Sequence, residues 1–299
     1  MRRFPVVLLG IAVCAVAVHA APLQIASLNP IVSDLARQVG GPDIEVIDLM
    51  PLGSNPHTFS PTPDDLKTAS RAALVLAAGK GLETYLEDIS QSLGDVSVFE
   101  VGRSVPSLRV EVGDVFICCP AHASGAIDPH WWHSVKNAKR AAKGIAGKLA
   151  EIEPENAKAY DARYDVYAEK LDRLYKWAKT EIGRIPRRDR ELTTSHAAFG
   201  YLCREFGLRS ITVQGLSTED SPNPSYLKDV VRTLVAQEVR AVFPEDNANP
   251  KVIAGMVRET GVKVGRGLYA GTLPAASPTY ADMVRSNITT IVESLLTNP

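Results

Sequence analysis

Short apolar runs bounded by glycine, proline and acidic residues alternate along this chain with longer stretches in which apolar positions recur every three or four residues. A short apolar run reads as a buried strand, and the longer period as a helix with one apolar face. Residues 23–28, 44–49, 73–78 and 96–101 fit the strand pattern, with helices expected over 30–39 and 83–93. Thr62-Pro63-Asp64-Asp65 starts a further helix, with a hydroxyl cap, proline at the first helical position and acids at the positive end. Strands and helices taken in turn predict a parallel sheet with crossover helices.

Residues 155–182 break this rhythm. Tyr160, Tyr164, Tyr167, Leu171, Leu174, Ala178 and Ile182 recur at spacings of four and three, which puts them on one stripe, while the other faces carry Lys, Asp, Arg and Glu. Such a helix is roughly 42 Å long at 1.5 Å per residue, about the length of a whole domain. Pro186 and the cluster Arg187 to Arg190 end it, and the alternation then restarts. Strands are expected over 191–195, 210–213, 241–244 and 262–264, with helices over 198–206, 225–237, 250–260 and 280–296. The expected fold is α/β: two lobes, each with a parallel four-stranded sheet and crossover helices, joined by one long rigid helix. The boundaries fall at a leader over 1–20, a first lobe over 21–153, the connecting helix over 154–185 and a second lobe over 186–299.

The leader rests on the positive start Met1-Arg2-Arg3 and an apolar run from Val6 to Val18 that is too short to span a bilayer comfortably. Val18-His19-Ala20 offers a cleavage site after Ala20, so export to the periplasm is expected. A lipid anchor on Cys14 is the alternative, although Val13 and the apolar residues beyond Cys14 do not suit it. A net charge of -1 with 22% charged residues leaves no basic stripe for a nucleic acid. The expected partner is small, and the chain is expected to be a monomer. Cys118, Cys119 and Cys203 follow the leader, and an odd number leaves a thiol unpaired within the chain. One disulfide and one buried thiol is the expectation; Cys118, Cys119 and His122 as a soft metal site is the alternative.

Of the six histidines, three occupy matching places. His57 follows the second strand, His130 lies in Asp128-Pro129-His130-Trp131-Trp132 just before a helix expected over 133–151, and His196 follows the first strand of the second lobe. In open parallel sheets the ligand crevice lies beyond the carboxyl ends of the strands, so all three belong on the crevice side. Neutral imidazole is the commonest protein ligand for zinc and also suits copper, iron and nickel. Each histidine alone is more often an ordinary polar or core residue. Together they point to one metal ion held between the lobes. Pro56 and Pro129 stiffen the backbone just before their histidines. His122 and His133 lack this placement, and His133 is expected to face outward.

These segments carry a family resemblance. Pro51-Leu52-Gly53-Ser54-Asn55-Pro56-His57-Thr58-Phe59, Asp128-Pro129-His130-Trp131-Trp132 and Ser195-His196-Ala197-Ala198-Phe199-Gly200-Tyr201 resemble the cluster A-I, zinc/manganese type, solute-binding proteins of ABC transporters. Phe243-Pro244-Glu245-Asp246-Asn247-Ala248-Asn249-Pro250 and the closing Thr279-Tyr280-Ala281-Asp282-Met283-Val284-Arg285-Ser286-Asn287 do so as well. The match runs in order over essentially the whole mature chain. It implies a divalent metal in the cleft, delivered to a membrane permease, and no enzyme activity. His57, His130 and His196 correspond to the family's first three ligands. Histidine at the third place is typical of zinc binders and glutamate of manganese binders, so the resemblance points to Zn2+, with Mn2+ or Fe2+ as alternatives. The family's usual fourth ligand, an aspartate, corresponds to Gly271, which has no side chain to coordinate. Glu245 is the candidate in its place, with a water or Asp282 as other solutions; Glu245 equally suits hydrogen-bonding a ligating histidine. The long histidine-rich loop of many zinc members is missing, since residues 111–127 hold only His122.

Two readings compete. A zinc hydrolase would use three histidines and a bound water with Glu245 as base, yet the chain has no H-E-x-x-H helix and no nucleophile elbow. A binding or adhesion protein without metal, on the same scaffold, would show no response to metal.

Overall fold

The first strand hands directly to a capped helix. β1 (Leu23–Ser27) is followed by Asn29, whose Oδ1 accepts the N–H groups of Ile31 and Val32 and so starts α1 (Pro30–Gly40). The structure, a computed structural model, describes residues 21–110, 115–116, 125–220, 224–246 and 250–297. The expected leader, its cleavage site at Ala20, and the group Cys118, Cys119 and His122 lie outside the described residues. β2 (Ile44–Asp48) leads through the loop of His57 to α2 (Pro63–Ala69), where Thr62 and Asp65 bond each other's backbone in a capping box. β3 (Leu74–Ala77), α3 (Leu86–Ser92) and β4 (Val98–Glu100) complete a parallel sheet in the order β2-β1-β3-β4. α3 starts later than the expected 83–93 because Glu83 is used elsewhere. Its buried carboxylate accepts the N–H groups of Ala78 and Gly79 at the end of β3, and burial pushes its pKa up to about 7.

β5 (Leu108–Arg109) and β7 (Ile127–Asp128) form an antiparallel ribbon, with the two-residue β6 (Val115–Phe116) between them in sequence. Then come α4 (Val135–Ile152) and the long α5 (Ala157–Gly183). The second lobe runs through β8 (Glu191–Thr194), α6 (Gly200–Phe206), β9 (Arg209–Thr212), α7 (Pro224–Ala236), β10 (Ala241–Phe243), α8 (Pro250–Thr260), β11 (Lys263–Val264) and α9 (Tyr280–Leu296). Its sheet is parallel in the order β11-β10-β8-β9-β6, so it has five strands where the alternation predicts four. The fifth is β6, which covers the free edge of β9 through Val115 opposite Ser210 and Phe116 opposite Ile211. A two-residue strand leaves no periodic signal in the sequence.

α5 buries Tyr160, Tyr167, Leu171, Leu174, Ala178 and Ile182 against α1, α4 and α9, with Tyr164 partly buried on the same side. One apolar core runs from Ile25 and Leu35 through Trp131, Trp132 and α5 to Phe243 and Ile288. Polar groups fasten the lobes as well. Trp132 Nε1 and His133 Nε2 donate to the Ala270 carbonyl at 2.9 and 3.0 Å, and the Tyr280 hydroxyl donates to the Trp132 carbonyl at 2.8 Å. Asp34, buried on α1, accepts the Tyr280 N–H at 2.8 Å and thus helps to cap α9 of the other lobe. Asp34→Ala leaves that N–H buried without a partner, and urea unfolding should show a loss of about 2 kcal/mol.

Candidate metal centre

His130 and His196 are held by the same device. Asp128 Oδ1 accepts both the backbone N–H and the ring Nδ1–H of His130, each at 2.9 Å. Glu245 Oε1 accepts the backbone N–H of His196 at 3.0 Å, and its Oε2 takes the His196 Nδ1–H in a short contact. An ionised carboxylate can only accept, so against a charged Asp128 or Glu245 Nδ1 carries the ring proton and Nε2 turns the other way. Both grips are buried, with His130 and His196 1% and 2% exposed. His57 is arranged differently. Its N–H donates to Asn55 Oδ1 at 3.0 Å, the N–H groups of Thr58 and Phe59 fold back to the Asn55 carbonyl, and among the described residues no carboxylate holds its ring.

The three rings converge. Their centroids are 5.1, 5.4 and 5.2 Å apart, and a ligand nitrogen from each lies within 4.8 Å of the others. His57 Nε2 and His130 Nε2 are 3.0 Å apart. Two nitrogens bound to one zinc at the usual 2.0–2.1 Å stand roughly 3.3 Å apart in a tetrahedron, so this spacing suits a shared ion. His196 Nε2 is buried with no hydrogen-bond partner. An orphaned buried ring nitrogen facing two others is the arrangement a cation would satisfy. The pocket that the rings line, together with Asn55, Pro56, Thr218 and Gly271, leaves room for about one water-sized guest.

The electrostatics divide the rings. Burial, and then the positive charge of His196, hold His57 down at about 3. Burial likewise holds His130 well below the ordinary range, with the neighbouring histidines adding to it. For His196, burial pulls downward, but the ion pair and hydrogen bond with Glu245, with help from Asp128 and Asp246, raise it overall. Asp128 is itself pushed up to about 7 by burial. Burial thus favours the neutral form at His57 and His130, while Glu245 raises the proton affinity of His196.

Other expected residues fall elsewhere. His133 faces inward, contrary to the outward position expected of it. It is 3% exposed, bonds the Ala270 carbonyl and packs on Phe199 at 4.3 Å, because the chain makes a tight turn over Trp131–His133 before α4 begins. Asp282 accepts the Ser277 and Thr279 hydroxyls at 2.6 Å at the start of α9, which occupies it away from the rings. Of the two roles open to Glu245, the structure gives it the hydrogen bond to a histidine. Gly271 lines the space, and a Cβ there would come within 2.6 Å of Pro56 Cγ, so the Pro56 ring fills the place a side chain would take. Cys203 is a buried free thiol, pushed up to about 12 by burial. The role of Asp128 and Asn55 went unread in the sequence although its signal was there: the repeated Asx-Pro-His triplet puts an acceptor two residues before each histidine.

A sequence model of the family described as ZnuA, zinc-uptake complex component A, periplasmic, matches residues 25–294. The chain belongs to this family. It lies among the solute-binding proteins of metal ABC transporters, as the motif resemblance implies. The manganese-binding lipoprotein MntA of Bacillus subtilis is 31% identical over 282 residues, covering 91% of this chain and 90% of that one. The iron-binding protein YfeA of Yersinia pestis is 28% identical over 267 residues, covering 88% and 83%. Among solved structures, the periplasmic zinc-binding protein TroA of Treponema pallidum matches with a TM-score of 0.83 and 25% identity over 93% of this chain and 100% of that one. Proteins named for manganese, iron and zinc are thus all similar to this chain.

Histidine titration in the metal-free protein tests the electrostatics directly. By NMR, His57 and His133, both held near 3, should stay neutral at pH 5, whereas His196 should titrate above the ordinary 6.5. Glu245→Gln removes the raising charge, leaves burial in command and should bring His196 below 6.5.

Proposed function

We propose that this protein captures one zinc ion at His57, His130 and His196 and delivers it to the membrane permease of an ABC transporter. The observation that carries the reading is the convergence of three ring nitrogens, one of them buried and otherwise unpartnered, with two rings fixed from behind by carboxylates. A donor set made only of imidazole suits Zn2+ better than Mn2+, which prefers oxygen. Gly271 supplies no carboxylate, and the carboxylate of Glu245 is taken up by His196, so a water completes a tetrahedron around the ion. Fe2+ also accepts imidazole, but three nitrogens and one water in a closed space favour the smaller coordination number of zinc.

Capture and release, rather than turnover, fit this centre. The hydrolase reading needs Glu245 as a free base, and both its oxygens are engaged by His196. Export past the inner membrane, directed by the leader over residues 1–20, agrees with the family's periplasmic description. Among the described residues no helix is long and apolar enough to cross a membrane.

Calorimetric titration of the mature protein should give one tight zinc site. His57→Ala, His130→Ala and His196→Ala should each weaken it by at least about a hundredfold, since each removes one of three nitrogens; full affinity in all three variants would end this reading. Glu245→Gln should weaken it about 10–100-fold by freeing the His196 ring. In competition, manganese should bind far more weakly than zinc. Zinc at about 1,000 times its Kd should stabilise the fold by about 4 kcal/mol, read from the rise in unfolding free energy.

A further inference from the structure

The loop that carries His57 is fastened to the second lobe at three points. The Gly53 N–H donates to Thr272 Oγ1 at 2.9 Å, Asn55 Nδ2 donates to Thr218 Oγ1 at 2.9 Å, and Pro56 seats in the space left open by Gly271. Asn55 therefore does two things at once, since its Oδ1 also accepts the His57 N–H at 3.0 Å. The place of His57 is set through its backbone, and the place of that backbone is set through two hydroxyls of the opposite lobe.

His57 is also the least enclosed of the three rings. It is half-buried, whereas His130 and His196 are buried and each is tied by a carboxylate. For an ion to leave, one ring has to withdraw. Withdrawing His130 or His196 breaks two bonds to a buried carboxylate, which are the strong and costly kind. Withdrawing His57 breaks two neutral hydrogen bonds at a partly exposed loop and lifts Pro56 off a glycine.

We infer that the loop from Gly53 to Phe59 is the gate of the metal centre, and that Thr218 and Thr272 are its latches. They are positioning residues that act on the ion through His57. The inference rests on the cation-binding reading above and adds to it the route by which the ion enters and leaves. Opening this gate needs no swing of one lobe against the other about α5. Gly271 takes part because any side chain there would displace Pro56 and hold the loop away from the second lobe.

The test is the rate at which zinc leaves the loaded mature protein when it is mixed rapidly with excess chelator. Thr218→Val and Thr272→Val keep the side-chain shape and remove the acceptor; each should speed release about fivefold, and the double variant more than tenfold, the size expected for losing one or two neutral hydrogen bonds. Thr218→Ser and Thr272→Ser retain the hydroxyl and should release at the wild-type rate. Amide exchange of the metal-free double variant should quicken over residues 53–59 and stay unchanged in β3 and α1, which separates gate opening from general loss of stability. Zinc bound normally but released from the double variant at the wild-type rate would overturn the gate and leave the cation reading standing. A wild-type protein that takes up no zinc would overturn both.

Discussion

Two buried carboxylates, each holding a histidine by its backbone N–H and its ring Nδ1–H together, are the constraint on which the centre depends. An imidazole has two nitrogens and can present either. Gripped from behind by a group that only accepts, it presents Nε2, and its rotation about the ring axis is lost before any ion arrives. The arrangement is expensive in isolation, since burial penalises both the charge of Asp128 and a protonated ring. It is sustained because each carboxylate is satisfied by two donors at once, and because the rings it orients can all serve one positive charge.

Such orientation is useful only if the two lobes keep their mutual distance. His57 and His130 belong to the first lobe, His196 and Glu245 to the second. The long apolar stripe of α5 packs on helices of both, and the continuous core beneath it makes the frame stiff. The Ala270 carbonyl, next to Gly271, receives hydrogen bonds from both Trp132 and His133. That segment of the second lobe is thus pinned against the first within one residue of the metal space. The loop of His57, by contrast, meets the second lobe through two neutral hydrogen bonds and the contact of Pro56 with Gly271.

Much of this was legible in the residues themselves. The period of the apolar positions located the strands and the long helix, and the placement of His57 and His196 beyond strands and of His130 before a helix pointed to their convergence. Local chemistry was readable where its partners were near in sequence, as with the Thr62 and Asp65 capping box. What escaped depended on contacts across long stretches of chain. β6 joins a sheet whose strands lie about a hundred residues onward and is two residues long. His133 turns inward for a carbonyl 137 positions away. Glu245 is drawn to His196, 49 positions away, and the reason for glycine at 271 lies in the ring of Pro56. No pattern along a single strand or helix encodes such meetings.

The closeness of the three rings also bears on the form in which cargo arrives. The rings leave room between them for about one water-sized sphere. A dication in water travels inside a shell of tightly held molecules, and a chelated one inside something larger still; neither would fit whole. Its companions would have to be shed as nitrogens replaced them. An ion that gives up water reluctantly, as magnesium does, would be disfavoured by that loss alone, before the preference of imidazole for one metal over another came into play.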